Sequence, residues 1–309
     1  MRIRISTLGM ANQTINSMLN QHSQIANTQE QLALGVKLVR PSDSPPAAVR
    51  ALILDESLKQ KEQYQANIDM ARGRLAQEET VLDSIGDVLL RVHDLGVQSL
   101  NAPLGASDRD AIAGEMRHLL GEIGNLANTT TATGEYLFAG LQSKTKPYSG
   151  DPTNGAYTYN GDSGRRHTAI GSGYNLNDND PGDAVFTVVA PATDPNAAPA
   201  AAENIMNLVF QFAEHLSADQ PDTYDLARIQ QSLEAISTAR SSAGARLAAL
   251  DQQETLTAKL TTDEKSLLSQ TRDLDYTEAI SRLNQETTAL QAAQQAYSKV
   301  QKLSLFNYL

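Results

Sequence analysis

Residues 5–36 read ISTLGMANQTINSMLNQHSQIANTQEQLALGV, and this stretch decides the fold of the chain. Apolar residues recur in it at alternating spacings of three and four, which is typical of one seam of an α-helix. Its one charged side chain is Glu30. A chain that is 20% charged would place about six charges in a stretch of this length. The stretch therefore predicts an amphipathic helix whose polar side is almost free of charge.

The end of the chain repeats this pattern. Residues 283–309 carry three charged side chains, which are Glu286, Lys299 and Lys302. Polar residues such as Gln29 and Thr287 interrupt both heptads, so two helices of this kind pair with each other weakly. The predicted seam consists of Leu8, Ile15, Met18, Ile25, Leu32, Ile280, Leu283, Leu290, Tyr297 and Leu303.

The lack of charge on the outer faces of both terminal helices leads to a second expectation. A solvated two-helix coiled coil places Glu and Lys beside its seam, whereas amides and hydroxyls cost much less to desolvate than charges do. We therefore expect both terminal helices to be disordered in the monomer and to become buried against copies of this chain or close relatives. The alternative is a flexible tail rich in Asn and Gln, but a tail has no reason to keep a heptad.

Proline and glycine divide the rest of the chain. Residues 147–200 hold six of the 11 prolines and contain short β-like runs, at 157–159, 167–170 and 184–189, that predict strands. The flanking regions show long helical patterns at 46–100 and 229–260. The predicted fold is mainly α with a β-rich insert, in which the N- and C-terminal arms form a long antiparallel helical bundle or coiled coil. The predicted segments are an N-terminal assembly helix (1–40), the first half of the bundle (41–145), the inserted domain (146–200), the second half of the bundle (201–272) and a C-terminal assembly helix (273–309).

Charged side chains on the long helical patterns predict a bundle with a solvated outer face. Among them are Glu78, Arg228 and Arg246. Val49 and Leu52 begin the apolar stripe of the first pattern, and Leu256 and Leu260 end that of the return pattern. We expect these four apolar residues to lie on the inner side of the bundle.

The composition excludes several classes of protein. There is no Cys and no Trp, the net charge is −11 and the pI is about 4.9. Disulfides and thiolate metal sites are therefore absent, and nucleic acid or an anionic membrane is disfavoured as a partner. No apolar run approaches the length of a membrane span, and residues 1–10 lack the apolar block of a signal peptide. We expect export, if any, by a route that reads no cleaved signal.

Motifs for catalysis are missing from the sequence. The five histidines are scattered, and the acidic run at 178–183 does not satisfy the spacing of a calcium loop. P-loop, GxGxxG and GxSxG motifs do not occur. We expect no catalytic, metal-binding or cofactor-binding residue and no cofactor. The alternative is an enzyme whose active site lies within residues 147–200.

Five stretches of the chain resemble the bacterial flagellin family. The junction after the first helix reads QLALGVKLVRPSDSPPAA (31–48), and the long helix contains LRVHDLGVQ (90–98). Three further stretches are similar to the hook-associated protein 3 type within that family. They are GEYLFAG (134–140), YNGDSG (159–164) and the ending ALQAAQQAYSKVQKLSLFNYL (289–309).

This resemblance implies a structural subunit that joins the hook, through hook-associated protein 1, to the flagellin filament. It implies hook-associated protein 1, flagellin and further copies of the chain as partners, and an export chaperone that binds the C-terminal segment. The implied location is the hook–filament junction, outside the cell after flagellar type III export. Filament flagellin and a non-flagellar secreted coiled-coil interaction protein remain as alternatives.

Overall fold

The computed structural model describes residues 7–100, 104–155, 157–189 and 202–306. Within these ranges the chain forms seven helices and six short strands. The helices are α1 (Thr7–Leu34), α2 (Pro45–Ser99), α3 (Ala106–Ala127), α4 (Gly182–Val185), α5 (Ile205–Ser217), α6 (Thr223–Arg272) and α7 (Tyr276–Phe306). The strands are β1 (Tyr148–Ser149), β2 (Thr158–Tyr159), β3 (His167–Gly171), β4 (Tyr174–Asn177), β5 (Thr187–Val189) and β6 (Ala202–Asn204). None of the described helices is long and apolar enough to cross a membrane.

The fold is mainly α with small strand pairs in the middle of the sequence, as predicted. The chain divides into two compact units. Unit 1 comprises residues 1–60 and 259–309, and unit 2 comprises residues 61–258. The long helices α2 and α6 contribute to both units, because each continues past the boundary.

Unit 2 contains the main hydrophobic core. Helices α3 and α5 pack antiparallel. Ser217 at the end of α5 donates to Asp110 near the start of α3 at 2.9 Å, and Arg117 in the middle of α3 contacts Glu214, which precedes Ser217, at 2.7 Å. Gly96 of α2 allows the ring of Phe212 to approach closely, because a Cβ at this position would lie 2.7 Å from the ring. The core therefore depends on a residue without a side chain at this crossing.

The insert shares this core. Its Tyr148 and Phe186 are buried with Phe138, and the ring centroids of Phe138 and Phe186 lie 5.0 Å apart in an edge-to-face arrangement. Strand β5 pairs antiparallel with β6, and the amide of Ile205 donates to the carbonyl of Phe186 at 2.8 Å. The C-terminal part of the insert is thereby joined to the start of α5.

The strands of the insert form three separate antiparallel pairs, β1–β2, β3–β4 and β5–β6. The predicted strands at 157–159, 167–170 and 184–189 correspond to β2, β3 and β5, with one correction. Ala184 and Val185 lie in the short helix α4 rather than in a strand. Pro181 provides the extended residue before α4 and Asp183 lies in its first turn, which favours a helical turn at this point.

Three charged residues of the long helices are not on a solvated face, contrary to the sequence-based expectation. Glu78 is 0% exposed and Arg228 is 6% exposed, and the side chain of Arg246 is 15% exposed. Arg228 pairs with Glu203 of strand β6, and Arg246 pairs with Asp180 of the insert. Segments distant in sequence cover these positions, so helical periodicity alone gives no sign of their burial.

Candidate assembly surface

Local sequence fixes the end of α1 and the beginning of α7. Helix α1 stops at Leu34, and Gly35 follows with φ +70°, a conformation that glycine adopts without strain. A Cβ on Gly35 would also meet the hydroxyl oxygen of Tyr276 at 2.7 Å. Asp275 caps α7, because its carboxylate accepts hydrogen bonds from the amides of Thr277 at 2.9 Å and Glu278 at 3.2 Å.

Backbone pairing joins the two segments at this point. Val36 and Asp273 form an antiparallel bridge. The amide of Lys37 donates to the carbonyl of Arg272 at 2.8 Å, and the amide of Leu274 donates to the carbonyl of Gly35 at 3.1 Å. Main-chain hydrogen bonds therefore hold the C-terminal end of α1 and the N-terminal end of α7 side by side.

The helices α1 and α7 pack against each other in antiparallel orientation. The hydroxyl of Thr28 donates to Glu286 Oε2 at 2.9 Å, and Arg282 Nη2 donates to Gln31 Oε1 at 2.8 Å. Two heptad rows lie at the centre of the contact. They are Met18, Ile25 and Leu32 on α1, and Leu283, Leu290 and Tyr297 on α7, all of them buried or half-buried. These six residues belong to the predicted seam.

On each helix, a second and a third row of residues flank the central row on either side. The corresponding flank faces the partner helix in both α1 and α7. The inner flank precedes the central row by four residues and is buried or half-buried: Thr14, Gln21 and Thr28 on α1, and Ala279, Glu286 and Ala293 on α7. The outer flank precedes it by three residues: Ile15, His22 and Gln29 on α1, and Ile280, Thr287 and Gln294 on α7. All of the outer flank is exposed except the half-buried Thr287.

Two members of the predicted seam therefore lie outside the contact between α1 and α7. Ile15 is 38% exposed and Ile280 is 50% exposed. The side chains of Leu8 and Leu303 lie outside the residues whose side chains the structure describes. Sequence reasoning missed the inner flank, because four of its six members are polar or charged and the other two are alanines. A heptad alone does not indicate which flank of its central row meets the partner helix.

Unit 1 as a whole exposes apolar side chains instead of burying them. In the described part of unit 1, the buried apolar residues are Ile25, Leu58, Leu268 and Ala279. The exposed large apolar residues there are Ile15, Leu19, Leu34, Val49, Leu52, Ile53, Leu260, Leu267, Tyr276 and Ile280. Single exposed apolar residues are ordinary, but a unit in which they outnumber the buried ones indicates a surface that other proteins cover.

The apolar stripes of the long helices, which we expected on the inner side of the bundle, are thus exposed near the start of α2 and in the C-terminal part of α6. Val49 is 57% exposed and Leu52 is 68% exposed, and Leu256 and Leu260 of α6 are 49% and 43% exposed. Helices α3 and α5 and the strands of the insert all belong to unit 2. The described part of unit 1 contains no further helix or sheet, comparable to α3 and α5, that covers Val49 and Leu52. The expectation is therefore wrong for those two residues.

Two family models match the chain. The model described as the bacterial flagellin N-terminal helical region matches residues 5–143, and that of the bacterial flagellin C-terminal helical region matches residues 226–309. Together they cover more than two thirds of the chain.

The chain belongs to the bacterial flagellin family.

Curated relatives of this flagellin-family chain include proteins of matching length. Flagellar hook-associated protein 3 of Escherichia coli (strain K12) is 28% identical over 98% of the chain and 99% of its own length. Flagellar hook-associated protein 3 of Salmonella typhimurium is 25% identical over the same shares. A flagellin of Clostridium tyrobutyricum is 26% identical, but over 42% of this chain and 35% of its own length. The resemblance to the hook-associated protein 3 type is thereby confirmed.

Solved structures show the same fold. A flagellar hook-associated protein 3 from Legionella pneumophila matches with a TM-score of 0.64 and 21% identity, covering 71% of this chain and 98% of that one. FlgL of Xanthomonas campestris matches with a TM-score of 0.59 and 22% identity, covering 70% and 99%. This flagellin-family chain is a structural protein of the flagellum, not an enzyme, and it acts with other components of flagellar assembly.

Proposed function

We propose that this chain joins the hook, through hook-associated protein 1, to the flagellin filament, and that it assembles with its neighbours through the terminal helices. The observation that carries the proposal is the exposure of apolar residues throughout unit 1. The printed names of the relatives support the position in the flagellum. They are hook-associated protein 3 and, for a Legionella pneumophila structure with a TM-score of 0.56, flagellar junction protein FlgL.

The geometry of α1 and α7 supports assembly between subunits. The inner flanks and central rows are used within one chain, whereas Ile15 and Ile280 extend the same heptads on the outer flanks. Between these apolar residues the outer flanks carry His22, Gln29, Thr287 and Gln294, which are uncharged when His22 is neutral. Such a surface is cheap to desolvate and retains hydrogen-bonding groups for a neighbour. The outer flanks are therefore the surface that a second subunit covers.

Energetics favour ordering of the terminal helices on assembly. Fixing a backbone costs about 1–2 kcal/mol per residue, and the contact between α1 and α7 alternates apolar residues with Thr, Gln and Ala. One such seam offsets this cost poorly. Neighbouring subunits that cover the outer flanks add the missing burial.

The route to this position also belongs to the proposal. We expect flagellar type III export without a cleaved signal peptide, so that the chain reaches the junction outside the cell. A chain without Cys forms no disulfide that would oppose passage in an unfolded state. A chaperone that covers the apolar C-terminal segment before export would keep α7 from associating early.

A deletion of the gene tests the junction role. We expect cells that still build hooks and that release flagellin into the medium without growing filaments. Immunogold labelling of cells that carry the wild-type chain should mark a short zone above the hook. Labelling along the whole filament would contradict the junction role and favour the flagellin alternative.

Point substitutions test the assembly surface. Ile15→Asp and Leu290→Asp each place a charge in a neutral layer, and we expect both to abolish filament growth while the melting of unit 2 stays unchanged. Leu141→Asp is the control, because Leu141 is 59% exposed in unit 2 and lies outside the proposed surface. Removal of residues 1–35 should likewise leave the melting of unit 2 intact. A lower melting temperature of unit 2 after that removal would contradict the proposal.

A further inference from the structure

A group of buried charges in unit 2 lies outside the surface proposed for assembly. It consists of Glu78 on α2, Arg246 on α6 and Asp180, two residues before α4, and we call it the buried carboxyl cluster. Glu78 is 0% exposed and Asp180 is 6% exposed. Arg246 Nη2 pairs with Asp180 and lies 3.9 Å from Glu78 Oε1. The cluster therefore joins both long helices to the insert.

The buried part of the cluster holds one cation for two carboxyl groups. If both carboxyl groups were ionised, two negative charges would face Arg246, and the nearest further cation, Arg165, lies 3.7 Å from Asp180 with its side chain 48% exposed. Neither oxygen of Glu78 has a hydrogen-bond partner at normal distance and angle in the described part of the chain. The backbone amide of Asp180 favours the ionised form of Glu78, but less than burial and the carboxylate of Asp180 favour the neutral form. An ionised carboxylate without donors is very costly to bury, whereas a neutral acid brings its own donor, which Asp180 can accept.

Burial raises the pKa of Glu78 to about 9, with the carboxylate of Asp180 adding to the rise and Arg246 opposing it. Other charged groups of the neighbourhood are already paired. Arg74 binds Glu135, and Arg166 binds Asp178 at 2.6 Å. These four residues therefore leave no unpaired cation to neutralise Glu78.

The cluster lies beside the attachment of the β3–β4 hairpin. Arg246 Nη1 donates to the carbonyl of Asn177, the last residue of β4, at 3.2 Å. The hairpin packs through a small hydrophobic group that is separate from the main core. It consists of Ile68, Ala71 and Leu75 of α2, Ile170 and Leu176 of the hairpin, and Leu250 of α6. The attachment is thus limited in area and borders directly on the cluster.

We propose that the buried carboxyl cluster is a pH-sensitive switch: the β3–β4 hairpin stays packed on α2 and α6 while Glu78 carries its proton, and it detaches when Glu78 loses that proton. Deprotonation breaks the O–H bond of Glu78 and transfers the proton to water or hydroxide. The remaining carboxylate then faces the carboxylate of Asp180, while Arg246, 3.9 Å away, is already paired with Asp180. Detachment relieves this repulsion by admitting water to both carboxylates, while the main core around α3 and α5 stays folded.

The direction of the pH dependence follows from linkage. Detached and hydrated, Glu78 has its ordinary pKa of about 4.5, so the packed state binds the proton more tightly than the detached state. The packed state is fully stabilised below that value and loses stability as the pH rises towards 9. The detached fraction therefore grows by up to about ten-fold per pH unit in this window and levels off above it.

The absence of Cys from the chain permits a direct test in the full-length protein. Leu176→Cys places a thiol under the hairpin, and Ser172→Cys places one on its exposed turn. The rate of maleimide labelling at position 176, divided by that at position 172, cancels the ionisation of the thiol itself. We expect this ratio to rise by about ten-fold or more between pH 6 and pH 9, and to level off above pH 9.

Matched variants distinguish the switch from other causes. Glu78→Gln keeps the shape and an N–H donor but cannot titrate, and Glu78→Met serves the same purpose if the amide does not fold. Either should hold the ratio constant from pH 6 to pH 9. Glu79→Gln, which changes the adjacent and only half-buried carboxylate, should behave as wild type. Ala113→Cys in the main core should stay unlabelled throughout. A flat ratio in the wild type, or an undiminished rise in Glu78→Gln, would overturn the proposal.

Discussion

The hydroxyl of Thr28 donates a hydrogen bond to Oε2 of Glu286 across the contact between α1 and α7, at 2.9 Å. Thr28 is 3% exposed, so the hydroxyl is removed from water by the same helix that supplies its acceptor. Apolar neighbours such as Ile25 and Leu290 would tolerate a slip of one heptad, whereas this polar pair would not. The pair therefore fixes the register of the terminal helices.

Thr28→Val tests this role, because it keeps the shape of the side chain and removes the donor. Hydrogen bonds to charged groups contribute about 1.5–3 kcal/mol, so we expect the α1–α7 contact to weaken by a similar amount. In the assembled junction, where the terminal helices are expected to be ordered, amide exchange over residues 14–32 should be faster in Thr28→Val than in the wild type. Ser23→Ala, at an exposed position of α1, should leave the exchange unchanged. Equal protection in Thr28→Val and wild type would refute the role of the pair.

Gly35→Ala should disturb the turn between α1 and the paired backbone at Val36. The substitution forces a residue with a Cβ into φ +70° and places that Cβ 2.7 Å from Tyr276 Oη. We expect a loss of about 1–2 kcal/mol in the stability of unit 1 in the assembled state, measured by urea-induced disassembly of polymerised protein. Gly73→Ala on α2 is the control. It meets no atom within 4 Å and should stabilise its helix by about 0.5–1 kcal/mol.

Two glycines of the long helix α2 give a matched pair within unit 2. A Cβ at Gly96 would lie 2.7 Å from the ring of Phe212 and 3.1 Å from Leu226, whereas the nearest atom to a Cβ at Gly86 is 3.9 Å away. We expect Gly96→Ala to destabilise the chain by about 1–3 kcal/mol through overpacking. Gly86→Ala should be neutral or stabilising. Thermal unfolding monitored at 222 nm separates the two, and similar melting temperatures would contradict the close packing at Gly96.

Asn128 connects the end of α3 to strand β1 with both halves of its amide. Its Nδ2 donates to the carbonyls of Gly124 at 2.7 Å and Tyr148 at 3.0 Å, and its Oδ1 accepts from the amide of Tyr148 at 2.9 Å. Asn128→Asp loses the donor and sets a negative charge beside two carbonyl oxygens. We expect a loss of about 2–3 kcal/mol in the free energy of unfolding. Asn125→Asp, at an exposed position one turn earlier, is the control; an equal loss there would indicate a general effect of charge.

The heptads of the terminal helices made α1 and α7 predictable, because the spacing of Met18, Ile25 and Leu32 depends on local geometry alone. The partner flank was not predictable in the same way. Ile15 and Thr14 border the central row equally well, and the choice of Thr14 depends on the other helix. The sequence favoured Ile15 for its hydrophobicity, whereas the structure leaves Ile15 exposed.

Long-range packing explains the other differences between expectation and structure. Glu78 and Arg246 occupy ordinary surface positions in the helical pattern, and the insert buries them after the chain has folded back. The helical pattern predicts Val49 and Leu52 as core residues. They remain exposed because the additional helices α3 and α5 belong to unit 2. Helix α2 (Pro45–Ser99) agrees closely with the predicted pattern at 46–100, whereas α6 (Thr223–Arg272) extends beyond the predicted pattern at 229–260 at both ends.

The bridge between Val36 and Asp273 has a mechanical consequence. Because its hydrogen bonds join main-chain atoms, tension applied along either terminal helix reaches both polypeptide segments at once. Pulling on α1 must shear the Lys37–Arg272 and Leu274–Gly35 bonds together, in parallel and not one after the other. The bridge therefore distributes a force on either terminal helix over both chain segments, and this does not depend on the side chains at positions 36 and 273.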